Sequence, residues 1–264
     1  MESDTRPYRI SIITPSFNQA VFIERTIISV LSQGYPDLEY IIIDGGSTDG
    51  TSEIIKKYEH QLKWISEKDS GQSEAINKGL RMATGDIIAY LNSDDEYDGR
   101  SLFTVNDYFQ THPNSDWAYG KCNIIDENDH YQRAIITNYK NFLMRRYSFF
   151  KLLCTNFINQ PSTFLRSSLL HKYGLINEHE HLAMDYEYWL RIGKNNTPGY
   201  IDQYLANFRM YSNSKSVANY KQQFRDEMRL AKSYSHGRLL ATWIHAINFA
   251  FIVISYNILR ALKK

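Results

Sequence analysis

Two adjacent carboxylates, Asp94 and Asp95, directly follow the apolar run Ile87 to Leu91. A short continuous apolar run is typical of a strand that is buried on both faces. Two carboxylates at the end of such a strand repel each other unless a cation lies between them, and their hard oxygens suit Mg²⁺ or Mn²⁺. Asp is also common in ordinary turns. The pair alone therefore predicts either a metal site or a solvated acidic turn.

Three further predicted strands also end in polar loops. The strands cover residues 9–14, 39–43 and 62–66, and the loops after them are Pro15-Ser16-Phe17-Asn18, Asp44-Gly45-Gly46 and Asp69-Ser70-Gly71. Proline, glycine, asparagine and aspartate are the residues that most often interrupt regular structure. One such loop would be ordinary, but four of them after four strands indicate a site.

Helical spacing of apolar residues predicts helices between these strands, over about 22–31, 51–58 and 72–83. Strands that alternate with helices predict a parallel sheet with right-handed crossovers. In an open sheet of this kind, ligands bind outside the carboxyl ends of the strands. All four polar loops should therefore gather at one edge.

The loops lack the two common glycine cradles for phosphate. A dinucleotide fold would have G-x-G-x-x-G after the first strand, where this chain has Pro15-Ser16-Phe17-Asn18. A P-loop would end in Lys-Ser or Lys-Thr, which neither 45–51 nor 71–79 contains. The remaining common device is a metal ion that bridges phosphate to carboxylate, and Asp94 and Asp95 could hold one.

Four motifs in this order resemble the family 2 glycosyltransferases of GT-A fold, over roughly residues 8–215. The motifs are Ile13-Thr14-Pro15-Ser16-Phe17-Asn18, Ile42 to Thr51, Asp69-Ser70-Gly71-Gln72 and Leu91-Asn92-Ser93-Asp94-Asp95. The resemblance implies an α/β fold with a Rossmann-like, mostly parallel central sheet flanked by helices. It also implies an inverting enzyme that uses a nucleoside-diphosphate sugar and Mn²⁺ or Mg²⁺.

The resemblance assigns roles to individual residues of the nucleotide half. Pro15, Ser16 and Phe17 would line the nucleotide pocket. Asp44 would accept a hydrogen bond from the base, most often uracil, and Asp69 would complete the base and ribose end. Asn92 stands at the first position of the DxD-type element, where the strict form has Asp. Asp94 and Asp95 would contact the metal and the diphosphate.

Asp185 is the candidate catalytic base. It lies at the start of a predicted helix, where it also fits an ordinary N-cap or first-turn acid that the helix dipole keeps ionised. The resemblance makes it the acid that accepts the proton of the acceptor hydroxyl. Glu187 is expected to pair with Arg191 one turn later, and Trp189 is expected in the core rather than as a sugar platform.

Arg209 is a candidate diphosphate contact, although a surface salt bridge would fit it equally well. It lies in Asn207-Phe208-Arg209-Met210-Tyr211, which resembles a late element of the family with Tyr211 where His is common. The Q-x-x-R-W element of processive synthases is absent, so we expect single transfers.

The second half also predicts a helix over 100–110, strands over 117–121 and 159–164, and a helix over 166–173. The stretch 126–146 has no clear assignment.

Composition restricts the remaining choices. The chain has 264 residues with 30 basic and 29 acidic side chains, a formal net charge of +1, so we expect no nucleic-acid partner. Cys122 and Cys154 fit no metal or redox spacing and are typical of reduced core thiols. The polar start, Met1 to Asp4, lacks the apolar core of a signal peptide, and we expect a cytoplasmic protein.

The end of the chain predicts an apolar helix, because residues 239–259 contain no Asp, Glu, Lys or Arg. It could pack on the domain or a second subunit, span a bilayer, or lie in the membrane interface with Arg260, Lys263 and Lys264 near anionic lipid.

We expect a GT-A domain over 1–216, divided into a nucleotide-binding half (about 8–98) and an acceptor half (about 99–216). A helical region over 217–264 would follow, with peripheral membrane contact through 238–264.

The sequence thus predicts transfer of one sugar, most often from a UDP-sugar, to a glycan or lipid-linked oligosaccharide in surface polysaccharide biosynthesis. The reaction would take place at the inner face of the membrane. A nucleotidyltransferase of related fold and a catalytically inactive sugar-binding scaffold are the alternatives.

Overall fold

A computed structural model of the chain describes residues 6–132, 134–212, 214–237, 239–248 and 250, and for 134–136 it describes the backbone alone. The first half has strands β1 (Ile10–Ser16), β2 (Leu38–Asp44), β3 (Lys63–Ser66) and β4 (Ile87–Tyr90). Helices α1 (Ile23–Leu31), α2 (Thr51–Lys56) and α3 (Gln72–Met82) connect them. The predicted β-α-β alternation is confirmed, and β1 pairs in parallel with both β2 and β4.

The second half adds four strands to the same sheet. Its strands are β5 (Glu96–Tyr97), β6 (Trp117–Ile125), β7 (Thr163–Arg166) and β8 (Gly199–Arg209). Its helices are α4 (Ser101–Thr111), α5 (Ala134–Met144), α6 (Phe149–Cys154), α7 (Ser167–Tyr173), α8 (Met184–Gly193), α9 (Lys215–Ala218) and α10 (Tyr220–Tyr234). The strand order is β3-β2-β1-β4-β7-β6-β8-β5. Strand β7 pairs antiparallel with β4 and β6, so the sheet is mixed but mostly parallel, as predicted.

Several elements differ from the sequence-based expectations. The strand predicted over 159–164 begins only at Thr163, because Gln160–Ser162, with Pro161 among them, form a 3₁₀ turn. Strand β5 and helices α6 and α9 had no predicted counterpart. Residues 126–146, which had no assignment, contain helix α5. Strand β8 was not predicted, because residues 199–209 mix polar and aromatic side chains without regular alternation. Its pairing with β6 is interrupted by register shifts at Lys121, which break the period of two that identifies a strand in sequence.

The core lies on both faces of the sheet. Successive strand residues point to opposite faces, so Ile12 packs with the α1 and α4 side, whereas Ile13 packs with the α3 and α8 side. On the second side the rings of Trp117 and Trp189 stack with centroids 5.5 Å apart. Trp189 is 1% exposed, which confirms that it belongs to the core. Cys122 and Cys154 are buried free thiols, as expected.

The C-terminal segment continues along this second side. Helix α10 buries Leu230 and Ala231 in the same core as α8. Residues 239–248 form one further helix. Within the described residues, no helix combines the length and the apolar character needed to cross a bilayer. The basic residues Arg260, Lys263 and Lys264 and nearly half of the predicted apolar helix lie outside the described residues.

The close packing of α3 on β1 depends on Gly79. A Cβ atom at this position would lie 2.3 Å from Cγ2 of Ile13. We expect Gly79→Ala to destabilise the protein by about 1–2 kcal/mol, because overpacking outweighs the gain in helix propensity of nearly 1 kcal/mol. Urea unfolding measures this change. In an Ile13→Ala background the same Gly79→Ala substitution should be neutral or stabilising, and an equal penalty in both backgrounds would contradict the steric explanation.

Candidate active site

The carboxyl ends of β1, β2 and β3 bring Asp44 to the floor of one edge of the sheet. Asp44 pairs in register with Ser16 on one side and Ser66 on the other. Its carboxylate is 0% exposed and accepts hydrogen bonds from the Ser47 hydroxyl at 2.5 Å and the Ser66 hydroxyl at 2.6 Å. The backbone N–H of Ser47 donates a further bond at 3.0 Å. These donors fix the carboxylate in one orientation.

Asp69 lies against the loop that follows Asp44. A Cβ atom at Gly45 would come within 2.8 Å of Oδ2 of Asp69, so the close approach of the two loops requires glycine there. The backbone N–H of Gly71 donates to Oδ1 of Asp69 at 2.9 Å. Burial nevertheless raises the pKa of Asp69, and the charge of Asp44 raises it further. The two predicted base and ribose contacts are therefore neighbours.

The loop after β1 presents its three candidate residues differently. Pro15 and Ser16 are buried, whereas the Phe17 ring is 60% exposed. In the described part of the chain, the buried Ser16 hydroxyl has no hydrogen-bond partner. An unsatisfied buried hydroxyl is costly unless a ligand or water completes it. An exposed ring beside an unsatisfied hydroxyl fits the predicted nucleotide pocket.

Residues without a predicted role connect the first two loops. The side-chain oxygen of Asn18 accepts from the backbone N–H of Thr48, and the backbone N–H of Asn18 donates to the Ser47 hydroxyl. The carboxylate of Asp49 accepts from the backbone N–H of Ala20 at 3.0 Å. Their types are ordinary turn residues, so the sequence carries no sign that they would bond across loops about 30 positions apart.

The acidic turn after β4 gives Asp94 and Asp95 different surroundings. Asp95 is 0% exposed, and its two oxygens accept from the Arg209 backbone N–H at 2.9 Å and the Asn92 amide at 3.1 Å. Asp94 is half-buried, and its Oδ2 accepts from the Tyr211 hydroxyl at 3.1 Å. Both oxygens of Asp95 are thus used, one by the turn itself and one by β8, while Asp94 keeps more of its acceptor capacity for a ligand.

The pKa values of both carboxyl groups lie above the ordinary range for Asp. Burial raises the pKa of Asp94, with the Tyr211 hydrogen bond opposing it. Burial and then the charge of Asp94 raise the pKa of Asp95 further. A cation beside the turn would offset this repulsion, so the donor set fits a hard divalent ion. Within the described residues, no cluster of three or more His, Cys, Asp or Glu side chains could hold a metal.

Arg209 lies beneath the acidic turn. Its side chain is 0% exposed. The guanidinium donates to the carbonyl of Asp94 at 2.8 Å and to the carboxylates of Glu96 and Asp129. It also lies over the Phe22 ring, 5.0 Å from the centroid. The structure thus places Arg209 behind the turn, where it holds the backbone of Asp94, and not at the exposed side of that turn.

A hydrogen-bonded chain connects the acidic turn to α3 and α9. The Gln72 amide donates to the side-chain oxygen of Asn92 at 2.7 Å, and Lys215 donates to the side-chain oxygen of Gln72 at 2.8 Å. Gln160 accepts from Asn92 at 3.3 Å. Gln72 belongs to the motif Asp69-Ser70-Gly71-Gln72, but Gln160 and Lys215 carried no sequence signal for this role.

Asp185 lies at the start of α8, next to the start of α3. The Ser73 hydroxyl, one residue after Gln72, contacts the carbonyl of Glu180 at 3.1 Å and the sulfur of Met184 at 2.9 Å. Asp185 interacts electrostatically with Tyr90 at the end of β4 and with Lys215. The first turns of α3 and α8 and the end of β4 therefore bring Asp185 to the edge that holds Asn92 and Asp94.

The environment of Asp185 differs from the expected helix N-terminus. Burial raises the pKa of Asp185, and this effect exceeds the lowering by the Tyr186 backbone N–H and by Lys140. The expectation that the helix start keeps this group strongly ionised is therefore incomplete. The predicted ion pair in the same helix is present, since Arg191 bonds Glu187 at 2.7 Å.

Glu227 of α10 is a buried acid near Asp185 that the sequence did not single out. It is 3% exposed and accepts hydrogen bonds from the amides of Asn156 and Gln223, each at 3.3 Å. Burial, and next the charge of Asp185, raise the pKa of Glu227 to about 7. The C-terminal helix α10 thus carries a buried ionisable carboxyl close to the candidate base.

With this geometry established, comparison with known proteins identifies the family. The family model described as glycosyl transferase family 2 matches residues 11–174. That range is more than half of the chain, and the chain belongs to glycosyl transferase family 2. The predicted resemblance is confirmed.

Three proteins illustrate the similarity. TuaG of Bacillus subtilis, named for teichuronic acid biosynthesis, is 45% identical over 92 residues, which are 33% of this chain and 36% of TuaG. S. aureus TarS in complex with UDP-GlcNAc has a TM-score of 0.71 at 18% identity, covering 92% of this chain and 72% of that one. The mannosyltransferase PcManGT of Pyrobaculum calidifontis, in complex with GDP-Man and Mn²⁺, has a TM-score of 0.63 at 19% identity, covering 97% and 83%.

These similarities differ in what they establish. The chain spans about a third of the length of the first two curated relatives that it matches. The structural similarity confirms the predicted GT-A fold, which the two crystallised proteins share with this chain at low identity.

The buried carboxyl of Glu227 makes a testable contribution to stability. Because its pKa is raised from 4.5 to about 7 in the folded state, the folded protein binds the proton more tightly than the unfolded chain. This contribution is complete below pH 4.5 and is lost as the pH rises through about 7, a change on the order of 3 kcal/mol. Glu227→Gln should remove it, so the variant should be the more stable protein at pH 8.

Chemical unfolding of both proteins from pH 5 to pH 8 measures this difference. The stability of the wild type relative to Glu227→Gln should fall as the pH rises. The neighbouring acid Asp226, which is only partly buried, supplies a matched control in Asp226→Asn, whose difference from the wild type should change little. A pH-independent difference for Glu227→Gln would contradict the raised pKa.

Proposed function

We propose that this protein is an inverting, metal-dependent glycosyltransferase that moves a single sugar from a nucleoside-diphosphate sugar, with UDP as the favoured nucleotide. The observation that carries the proposal is the convergence of Asp44, Asp69, Asp94 and Asp185 from four different segments at one edge of the sheet. Asp44 and Asp69 mark the nucleotide end of this site, Asp94 the diphosphate and Asp185 the acceptor side.

The nucleotide would bind over the ends of β1 to β3. Phe17 would cover the base, and the Ser16 hydroxyl would gain the partner that it lacks among the described residues. Asp44, held by Ser47 and Ser66, would accept the N–H of a uracil ring, and Asp69 would complete the ribose end. The UDP-GlcNAc complex of TarS supports a UDP donor, whereas the GDP-Man complex of PcManGT leaves guanine as the other candidate base.

Asp94 would hold Mn²⁺ or Mg²⁺ directly, and Asp95 would orient the turn from below. Two protein carboxylates or fewer are enough for Mg²⁺ when substrate phosphates complete its shell. The Mn²⁺ complex of PcManGT supports a divalent ion as cofactor. When bound, the metal neutralises charge on the departing diphosphate. Arg209 would stabilise this arrangement from behind the turn, through its bonds to the Asp94 carbonyl and to Glu96, without contacting the diphosphate itself.

Asp185 would act as the general base. The acceptor hydroxyl attacks the anomeric carbon from the face opposite the diphosphate, and its proton moves to a carboxylate oxygen of Asp185. The new glycosidic bond forms as the bond to the diphosphate breaks, which inverts the anomeric centre. Burial raises the pKa of Asp185, so the ionised carboxylate is a stronger base than an exposed Asp.

The acceptor would be a glycan or a lipid-linked oligosaccharide of surface polysaccharide biosynthesis. The name of TuaG, which assigns that relative to teichuronic acid, supports this class. A lipid-linked acceptor would place the reaction at the inner face of the membrane. In this arrangement residues 8–98 would form the nucleotide half and 99–216 the acceptor half, and the C-terminal region would follow from 217.

Replacing the base separates catalysis from binding. We expect Asp185→Asn to lower the rate of transfer by about 10²–10⁴-fold, because the amide cannot accept the proton. The affinity for UDP should change little, since the substitution leaves the nucleotide end intact. Transfer or donor hydrolysis measures the first effect, and calorimetry with UDP and Mn²⁺ measures the second.

The exposed acid Asp107 of α4 provides a matched control, and Asp107→Asn should retain wild-type transfer. Full activity in Asp185→Asn would remove this residue from the mechanism. Absence of turnover of any nucleotide sugar by the wild type, with no binding of UDP, would instead favour the inactive scaffold.

Removal of the metal should weaken donor binding. We expect a chelator to reduce the affinity for UDP, and Mn²⁺ or Mg²⁺ to restore it in the wild type but not in Asp94→Asn. The thermal shift produced by UDP, which reports binding by mass action, provides the measurement. UDP binding that is unchanged by chelator would contradict the metal-dependent site.

A further inference from the structure

The helix over residues 239–248 turns its polar side toward the protein. Nδ1 of His245 lies 2.9 Å from the carbonyl oxygen of Leu153, and the Asn248 amide donates to the carbonyl of Cys154 at 3.1 Å. Ala241 and His245 are 0% and 3% exposed. The end of α6 thus holds this helix by hydrogen bonds to its backbone carbonyls.

Large apolar side chains lie on the opposite side of the same helix. Leu239, Leu240, Trp243 and Ile247 are each between 64% and 70% exposed. At 3.6 residues per turn these four positions fall within an arc of about 100°. A helix on a water-facing surface would present charged residues there. We call this arc the apolar stripe.

The charges are divided unevenly along the chain. Two segments, 130–177 and 228–264, contain no Asp or Glu, yet they hold 13 of the 30 basic residues. The rest of the chain has the remaining 17 basic residues and all 29 acidic ones. The small net charge therefore conceals a strongly basic part and a strongly acidic part.

The two acid-free segments touch each other. Leu153 and Cys154 of the first bond His245 and Asn248 of the second. The α5–α6 region of the first segment also exposes aromatic and basic side chains, Phe142, Arg145, Arg146 and Phe150. Lys151 fixes the connection between α5 and α6 through bonds to the carbonyls of Leu143 and Arg146. We call residues 142–150 the basic aromatic segment.

We propose that the apolar stripe and the adjoining basic aromatic segment bind the surface of an anionic lipid bilayer. Apolar side chains would enter the boundary of the acyl chains, and Arg145 and Arg146 would lie near the negative headgroups. This inference deepens the proposed function, because it presents the enzyme to a lipid-linked acceptor. Binding to vesicles requires no donor, metal or turnover, so its failure is distinguishable from failure of the transferase assignment.

The charge distribution favours lipid over the other occupants. A second copy seated on the same face would bring Arg145 and Arg146 of both copies together, and their charges would repel. A nucleic acid would use the arginines, but it offers no apolar phase for Leu239, Leu240 and Ile247. An anionic bilayer offers negative headgroups to the arginines and an apolar phase to the apolar stripe.

Flotation of the full chain with vesicles tests the proposal. The wild type should float with vesicles of phosphatidylcholine and phosphatidylglycerol but not with phosphatidylcholine alone, and less at high salt. The double variant Trp243→Glu with Ile247→Glu should remain unbound. Arg145→Gln with Arg146→Gln should weaken partitioning by about 30-fold, because each basic residue near an anionic surface contributes about 1 kcal/mol.

Matched controls are available on distant helices. Ile28 of α1 is 50% exposed, and Lys56 and Lys57 are exposed at the end of α2. Ile28→Glu and Lys56→Gln with Lys57→Gln should float like the wild type. Thermal melting confirms that every variant is folded.

Three results would overturn the proposal. The first is a folded wild type that does not float with anionic vesicles. The second is flotation that survives Trp243→Glu with Ile247→Glu, which would mean adsorption by charge alone. The third is a dimer in solution that this double variant converts to a monomer, which would identify the apolar stripe as a contact between copies of the chain.

Discussion

The acidic turn after β4 depends on one buried guanidinium. Asp94, Asp95 and Glu96 follow one another in the chain, and such a run would normally remain in water. Arg209 allows this acidic run to fold inward. Its guanidinium donates to the Asp94 carbonyl and the Glu96 carboxylate, and the backbone N–H of the same residue donates to the Asp95 carboxylate. Removal of one partner from a buried charged network typically costs about 3–5 kcal/mol. The same contact joins β8 of the second half to the acidic turn of the first, so the candidate site and the fold share one interaction.

The candidate base is positioned by packing rather than by the sheet. The first turns of α3 and α8 meet through Ser73 and Met184, which carries Asp185 to the end of β4. Burial there raises the pKa of Asp185 and makes it a better proton acceptor than an exposed Asp once it is ionised. Glu227 from α10 adds a second buried acid nearby. The C-terminal helices therefore contribute to the electrostatics of the site, and the helix over 239–248 continues from them to the proposed membrane-facing surface.

Particular elements show where sequence reasoning succeeded and where it did not. Strands β1 to β4 were predicted to within about two residues, because buried parallel strands are short apolar runs bounded by turn residues. Helix α5 was not assigned, and β8 was not predicted, since its alternation is interrupted where its register with β6 shifts. The motifs of the nucleotide half could be recognised in the sequence because they are local, and the roles of their residues stay predictions. Gln160, Lys215 and Glu227 were missed because each reaches its partner from a distant segment of the chain.

The sequence by itself determined the order of the first four strands and of the helices between them, the polar ends of those strands and the family, because each of these is written in contiguous residues. The tertiary structure decided which of these residues are buried as supports and which remain accessible to a ligand. Arg209 and Asp95 are buried, where they support the turn, whereas Asp94 stays partly exposed. The tertiary structure also turned the apolar side of the last described helix outward. Such assignments depend on burial and on contacts between distant segments, which no local pattern of residues encodes.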